Sequence, residues 1–242
     1  MKLAGQVALV TGASHGLGLA ISRALAADGA KVACLARSGA ALDAAVTALR
    51  ASGAEALAVA ADVTDAAQVD RAVASAIAAW GRLDVLVLNA GTWAGANVHE
   101  TTDAQWDMLL NLNLKGAFLT LRASLPTMIA AGRGTIVGIS SIGGLVGSAG
   151  SAAYAASKWG LRGLLESTAL EVKKHRIRVS IVHPHNINSA GRDYAAGTPD
   201  RDKNLEPADI AGLVAFIAGA PDYVAIGNVS IWPLAAGIGV RG

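Results

Sequence analysis

Tyr154 and Lys158 stand four residues apart in a stretch with helical patterning, which puts a phenol and an amine on one helix face within reach of each other. A phenol normally holds its proton to about pH 10, too high for proton exchange at neutrality. A neighbouring ammonium stabilises phenolate and lowers that value. Alone, such a pair is a coincidence that many helices carry. The second chemistry-bearing feature is Thr11-Gly12-Ala13-Ser14-His15-Gly16-Leu17-Gly18, which follows the apolar run Val7–Val10 and precedes the helix-forming stretch Leu19–Ala27. Glycine takes positive φ and has no Cβ, so a phosphate can approach the main chain closely. A helix start adds unpaired N–H donors and the positive end of a dipole.

The spacing is T-G-x-x-x-G-x-G rather than G-x-G-x-x-G, and out of context it reads as a tight strand-to-helix turn. Directly after a first strand it predicts a dinucleotide site. Such sites commonly carry an acidic group about twenty residues further on, where it binds a ribose 2′-hydroxyl. Here the second strand ends in Ala36-Arg37-Ser38. A guanidinium with no carboxylate beside it suits a 2′-phosphate, so NADP(H) is expected over NAD(H), with His15 adding a partial charge. A bound oxidised nicotinamide would also favour the phenolate of Tyr154. Asp62-Val63, after the third strand, is placed to hold an adenine edge, although Thr64 and Asp65 make a helix N-cap region an equal reading. Asn89-Ala90-Gly91 ends the fourth strand as a turn or as a wall of the same site.

These residues need a scaffold, and the rest of the chain supplies its pattern. Apolar runs at Val7–Val10, Lys31–Ala36, Ala56–Ala60, Val85–Leu88, Thr135–Ile139, Val179–Val182 and Val229–Ile231 predict strands covered on both faces. Helical candidates fall between them, at about Ala40–Ala51, Asp103–Ala131, Tyr154–Lys174 and Pro207–Ala218. Another carries Val69, Val73, Ile77 and Trp80 on one face. Repeated β-α-β order predicts a Rossmann-like α/β fold, a doubly wound seven-stranded parallel sheet with helices on both faces. No composition shift marks a second domain, so residues 1–242 are read as one unit with a substrate loop at about 186–206. Ligands in open α/β sheets sit beyond the C-terminal strand ends, which makes that loop a candidate lid.

Bulk properties exclude other classes. The 242 residues are 53% hydrophobic, with mean hydropathy +0.44, much of it from alanine. The late apolar run Ile210–Ala220 is broken by glycine and stopped by Pro221, short of the roughly 20 residues of a membrane span. A formal net charge of +2 without blocks of like charge gives no footprint for nucleic acid. The N-terminus is too short and polar for a signal peptide before the first strand, and Cys34 is the lone cysteine; both fit a cytoplasmic setting. No metal site is expected.

Taken together, Thr11-Gly12-x-x-x-Gly16-x-Gly18, Asn89-Ala90-Gly91, Asn113, Ser141 and Tyr154-x-x-x-Lys158 resemble, in order and spacing, the motifs of the short-chain dehydrogenases/reductases, with Ser141 13 positions before Tyr154. The resemblance runs from Gln6 to about Pro233. It implies strand order 3-2-1-4-5-6-7 and hydride transfer between NADP(H) and a carbonyl or secondary alcohol. Tyr154 is then the general acid or base, and Lys158 lowers its pKa and binds the nicotinamide ribose. Ser141 orients the substrate carbonyl, and Asn113 holds a water of the proton relay, unless it is a buried polar residue bending its helix. The cofactor is expected to contact Gly12, Ser14, His15, Gly16, Leu17 and Gly18, then Arg37, Ser38, Asp62, Val63, Asn89, Ala90 and Gly91.

One departure stands out. Where the family usually has Pro-Gly after the sixth strand, this chain reads Pro184-His185-Asn186-Ile187-Asn188-Ser189. Pro184, Ile187 and Ser189 match cofactor-contacting positions, whereas His185 brings an imidazole to the nicotinamide end or turns to solvent. Trp93 and Tyr194 are candidate pocket walls, and Trp159 is read as helix packing or subunit interface. The two long helices imply a homotetramer, or failing that a dimer. An alternative is an NADP-binding regulatory protein without turnover; a cofactor-dependent epimerase or dehydratase would need a larger C-terminal substrate domain.

Overall fold

A computed structural model of the chain describes residues 1–37, 39–188 and 203–236. Its strands are β1 (Val7–Thr11), β2 (Lys31–Ala36), β3 (Ala56–Ala60), β4 (Val85–Leu88), β5 (Gly134–Ile139), β6 (Ile177–Pro184) and β7 (Asn228–Ile231). They form one parallel sheet in the order β3-β2-β1-β4-β5-β6-β7, as the motifs implied. The helices are α1 (Gly16–Ala27), α2 (Ala40–Ala51), α3 (Ala66–Trp80), α4 (Asp103–Leu110), α5 (Gly116–Ala131), α6 (Ala152–Val172) and α7 (Pro207–Ala218).

The apolar strand runs follow from helices on both faces. Ala8, Val10, Val32 and Cys34 point into a core with Ile21 and Leu25 of α1 and Val214 and Ile217 of α7. Their neighbours Val7, Leu9, Ala33 and Leu35 point the other way, toward Val69 and Val73 of α3, Leu119 and Leu121 of α5, and Leu161 and Leu165 of α6. Strand order reverses between β1 and β4, and the crevice this opens at their C-terminal ends is where such sheets take ligands. No helix among the described residues is long and apolar enough to cross a membrane.

One predicted element is corrected. The helix expected over Asp103–Ala131 is two helices joined by a π turn at Asn111–Lys115. The physical cause is Asn113, which is 1% exposed and turned inward to bond distant partners. A widened turn re-aims such a side chain, and π turns gather at functional sites for this reason.

Candidate active site

The crevice starts at the last residue of β1. The buried Thr11 hydroxyl accepts the backbone N–H groups of Asn89 and Ala90, each at 2.9 Å, and donates to the Val87 carbonyl at 3.2 Å. The Asn89 amide returns a bond to the Thr11 carbonyl at 2.8 Å. Thr11 thus joins the ends of β1 and β4, a role that its place in the glycine motif did not by itself disclose.

The glycine loop packs onto this joint. Gly12 has φ +68°, and a Cβ there would lie 3.0 Å from Asn89 Nδ2; one on Gly18 would lie 2.6 Å from the same atom. Gly16 has φ +53° and a Cβ there would meet nothing within 4 Å. Two glycines therefore let the loop close on itself and the third faces open space. Helix α1 begins at Gly16, with exposed His15 as an extended N-cap that makes no side-chain cap bond, and with no acidic residue in its first turn. Its leading N–H groups are left to a ligand, and the cradle fits a pyrophosphate.

At the other end of a dinucleotide, Arg37 leaves β2 exposed to solvent; Ser38 lies outside the described residues. Asp62 is engaged locally. Its carboxylate accepts the Thr64 N–H and hydroxyl, both at 2.8 Å, which with a smaller contribution from Arg37 hold it below the usual carboxylate range. The cap of α3 is Asp65, which accepts from Gln68 at 3.0 Å. Val63 is buried against Gly116, where a Cβ would come within 2.8 Å of Val63 Cγ2.

The predicted catalytic groups meet above β4 and β5. Half-buried Tyr154, in the first turn of α6, faces Ser141, whose hydroxyl accepts the Gly143 N–H at 3.1 Å. One turn along, Lys158 is 5% exposed, its Nζ 2.9 Å from the Ile139 carbonyl and 5.9 Å from the centre of the Tyr154 ring. Burial without an opposing charge brings this amine down to about 8. The expected depression of the phenol is not what the protein alone produces: burial pushes Tyr154 up, and the Ser141 hydroxyl pulls the other way. Asn113 joins the group through a brace. It accepts the Thr92 N–H at 2.8 Å and donates to the Thr92 carbonyl at 3.0 Å and to Ser157 at 2.9 Å, while Ser157 donates to the Tyr154 carbonyl at 2.7 Å. Gly91 passes between them, since a Cβ there would lie 3.0 Å from Asn113 Oδ1 and 3.4 Å from Lys158 Nζ.

Beyond Pro184, buried at the end of β6, His185 does not turn to solvent. Its ring stacks on Trp232 at 4.8 Å between centroids, and Nδ1 is buried with no partner among the described residues. Burial pulls its pKa down. Ile187 pairs with Leu205, so the ends of the predicted substrate loop come together; Ser189 and Tyr194 lie outside the described residues. Trp93 is 59% exposed with its ring over Gly95. Trp106, Trp159 and Leu170 are also exposed, on α4 and α6.

Comparison with known proteins agrees with this geometry. Residues 6–197 match the family model described as short chain dehydrogenase. The chain is 38% identical over 226 residues to trans-4-hydroxycyclohexanecarboxylate dehydrogenase of Sinomonas cyclohexanicum, covering 90% of this chain and 87% of that one. It is 38% identical over 221 residues to 3-alpha-(or 20-beta)-hydroxysteroid dehydrogenase of Mycobacterium bovis, covering 90% and 84% respectively. A solved metagenomic short-chain oxidoreductase in complex with NADP superposes with a TM-score of 0.84 at 43% identity, over 96% of this chain and 99% of that one.

Proposed function

The chain belongs to the short-chain dehydrogenases/reductases, enzymes acting on alcohol and carbonyl groups, and on that premise we propose that it reduces a carbonyl compound at the expense of NADPH, with Tyr154 as the proton donor. The observation that carries this reading is the Tyr154 phenol facing Ser141, with a buried ammonium on the same helix face and, among the described residues, no carboxylate within its contacts. The cofactor, when bound, supplies the hydride at its nicotinamide.

The chain's own residues do the rest. Ser141 and Tyr154 present two hydroxyls to one substrate oxygen, which fixes its position and polarises the carbonyl. Burial keeps the phenol protonated, the form a donor needs. As the proton leaves, the Lys158 ammonium and the Ser141 hydroxyl stabilise the phenolate. Asn113, Thr92 and Ser157 hold the backbone under Tyr154 so that the pair keeps its aim. The preference for NADPH rests on Arg37, and the metagenomic relative solved with NADP supports it.

Two relatives are named for hydroxyl groups of cyclic compounds, a hydroxycyclohexanecarboxylate and a hydroxysteroid, so the test is NADPH oxidation, followed by absorbance, with cyclic ketones beside open-chain ketones and aldehydes. Tyr154→Phe should lower kcat/KM by about 10³-fold, the scale of a lost general acid, with NADPH affinity unchanged within about twofold. Equal turnover by both proteins would overturn the role of Tyr154.

A further inference from the structure

Strand β6 is buried from Val179 to Pro184, and a histidine sits near the end of that buried run. His183 is 0% exposed, and both of its ring nitrogens face oxygen. The ladder between β5 and β6 runs on to Ser140, whose N–H donates to the Val182 carbonyl at 2.8 Å. The next carbonyl, that of Ser141, accepts the Gly144 N–H at 2.8 Å, and His183 Nδ1 lies 3.2 Å from the same oxygen as a second partner.

The other side of the ring leads to the surface. His183 Nε2 is 2.9 Å from Asn228 Oδ1 at the start of β7, and Asn228 Nδ2 donates to Glu166 Oε1 at 3.0 Å. Arg162 Nε donates to the same carboxylate oxygen at 2.8 Å. The order of donors is forced. A carboxylate paired with a guanidinium offers only lone pairs, so Asn228 turns its NH2 to Glu166 and its oxygen to the ring. The Ser141 carbonyl also can only accept. Every oxygen that His183 meets therefore calls on the ring to donate; either neutral tautomer serves one of them, and the doubly protonated ring serves both.

The chain of contacts returns to its own starting point. Tyr154, Lys158, Arg162 and Glu166 follow one another at four-residue intervals along a single stripe of α6. The first pair holds the substrate end and the second anchors Asn228. We propose that His183 is a positioning residue for the Ser141 hydroxyl, fixed from the surface through Asn228, Glu166 and Arg162. This rests on Ser141 and Tyr154 acting as described above. A histidine that only filled the core would be tied to any convenient carbonyl; this one is tied to the residue that faces the reacting phenol across Gly143. The charged groups facing it are Glu166 and Arg162 of α6, both reached through Asn228, and the charged group facing Tyr154 is Lys158.

The Ser141 hydroxyl lowers the pH at which Tyr154 ionises, so that pH reports where Ser141 sits. It can be read without substrate or cofactor by 19F NMR of protein carrying 3-fluorotyrosine. The chain has three tyrosines, and the Tyr154 signal is the one missing in Tyr154→Phe. Ser141→Ala should move the Tyr154 midpoint up, since the hydroxyl that favours the phenolate is gone. His183→Gln should reproduce at least half of that shift, and should add nothing in the Ser141→Ala background. Asn228→Ala, at an exposed side chain, should act in the same direction and serves if the buried variant does not fold. Unmoved midpoints in folded His183→Gln and Asn228→Ala would overturn the proposal, as would shifts undiminished in the Ser141→Ala background. Absence of NADPH turnover with every carbonyl would overturn the proposed function and leave this reading of Ser141 standing.

Discussion

Asp84, at the N-terminal end of β4, and Lys158, beneath the C-terminal strand ends, are 6% and 5% exposed, yet their surroundings differ in kind. Asp84 accepts the Val7 N–H at 2.9 Å and two bonds from Arg82 at 2.7 Å, with Arg133 at 3.6 Å. Nearby Arg178 donates to the Thr135 hydroxyl and to the Ala218 and Val224 carbonyls, closing the C-terminal end of α7. Charge at this end of the sheet is answered on the spot and holds the ends of elements together. Among the described residues Lys158 has one carbonyl and no anion. A buried charge left without its opposite costs free energy, and a fold keeps one where a developing negative charge will meet it. Burial alone does not identify a site; a charge as buried as Lys158 with one neutral partner marks a candidate.

Removing each charge should separate the two roles. Asp84→Ala leaves the Val7 N–H and the Arg82 guanidinium without their acceptor, and should cost about 3 kcal/mol in urea unfolding at fixed protein concentration. Turnover per folded molecule should change by less than about twofold, since nothing at the catalytic end contacts it. A loss below about 1 kcal/mol would remove the contrast.

Lys158→Met should do the reverse, lowering turnover while raising stability. The amine's ordinary value of 10.5 falls to about 8 in the folded protein. Between those values the unfolded chain binds more protons than the folded one, so wild-type stability rises with pH across that window. Below 8 the penalty is fully present. At pH 7 the methionine variant should therefore be more stable by about 1 to 2 kcal/mol, the loss of the Ile139 bond offsetting part of the gain. The gap should shrink as pH rises from 8 toward 10.5. A gap that ignores pH, or a variant less stable at pH 7, would sink the argument.

What the sequence discloses follows the same division. Strands covered on both faces must be apolar at every position, so β1, β2 and β4 are plain in the chain itself. Tyr154 and Lys158 are legible because helical spacing alone puts them side by side. The break in the helix from Asp103 is not, because its cause is Asn113 bonding Thr92 and Ser157, 21 and 44 residues away. Asn113 as a type and position was readable; its bracing of Thr92 was not. The ionisation of Tyr154 in the protein alone is hidden for a related reason. Spacing shows the ammonium but not the burial that raises the phenol. His183 is the extreme case, since its partners lie 42 and 45 residues off and no local pattern names them.

Arg37 extends the comparison to a charge that is exposed. It makes no ion pair among the described residues, because the carboxylate nearest to it in effect, Asp62, is taken up by Thr64. Like Lys158 it is a cation left for something the fold does not contain, but here water already solvates it, so holding it free costs little. Its pairing with a 2′-phosphate is screened for the same reason and is worth on the order of 1 kcal/mol. Arg37→Asp removes that attraction, repels the phosphate and offers an acceptor to a ribose 2′-hydroxyl. The ratio of kcat/KM for NADPH over NADH should fall by about tenfold or more. Because Thr64 rather than Arg37 dominates the hold on Asp62, unfolding stability should stay within about 0.5 kcal/mol of wild type. A ratio that does not move would mean that the 2′-phosphate is recognised elsewhere. A large stability loss would mean that Arg37 belongs with Asp84 among the charges that build the fold.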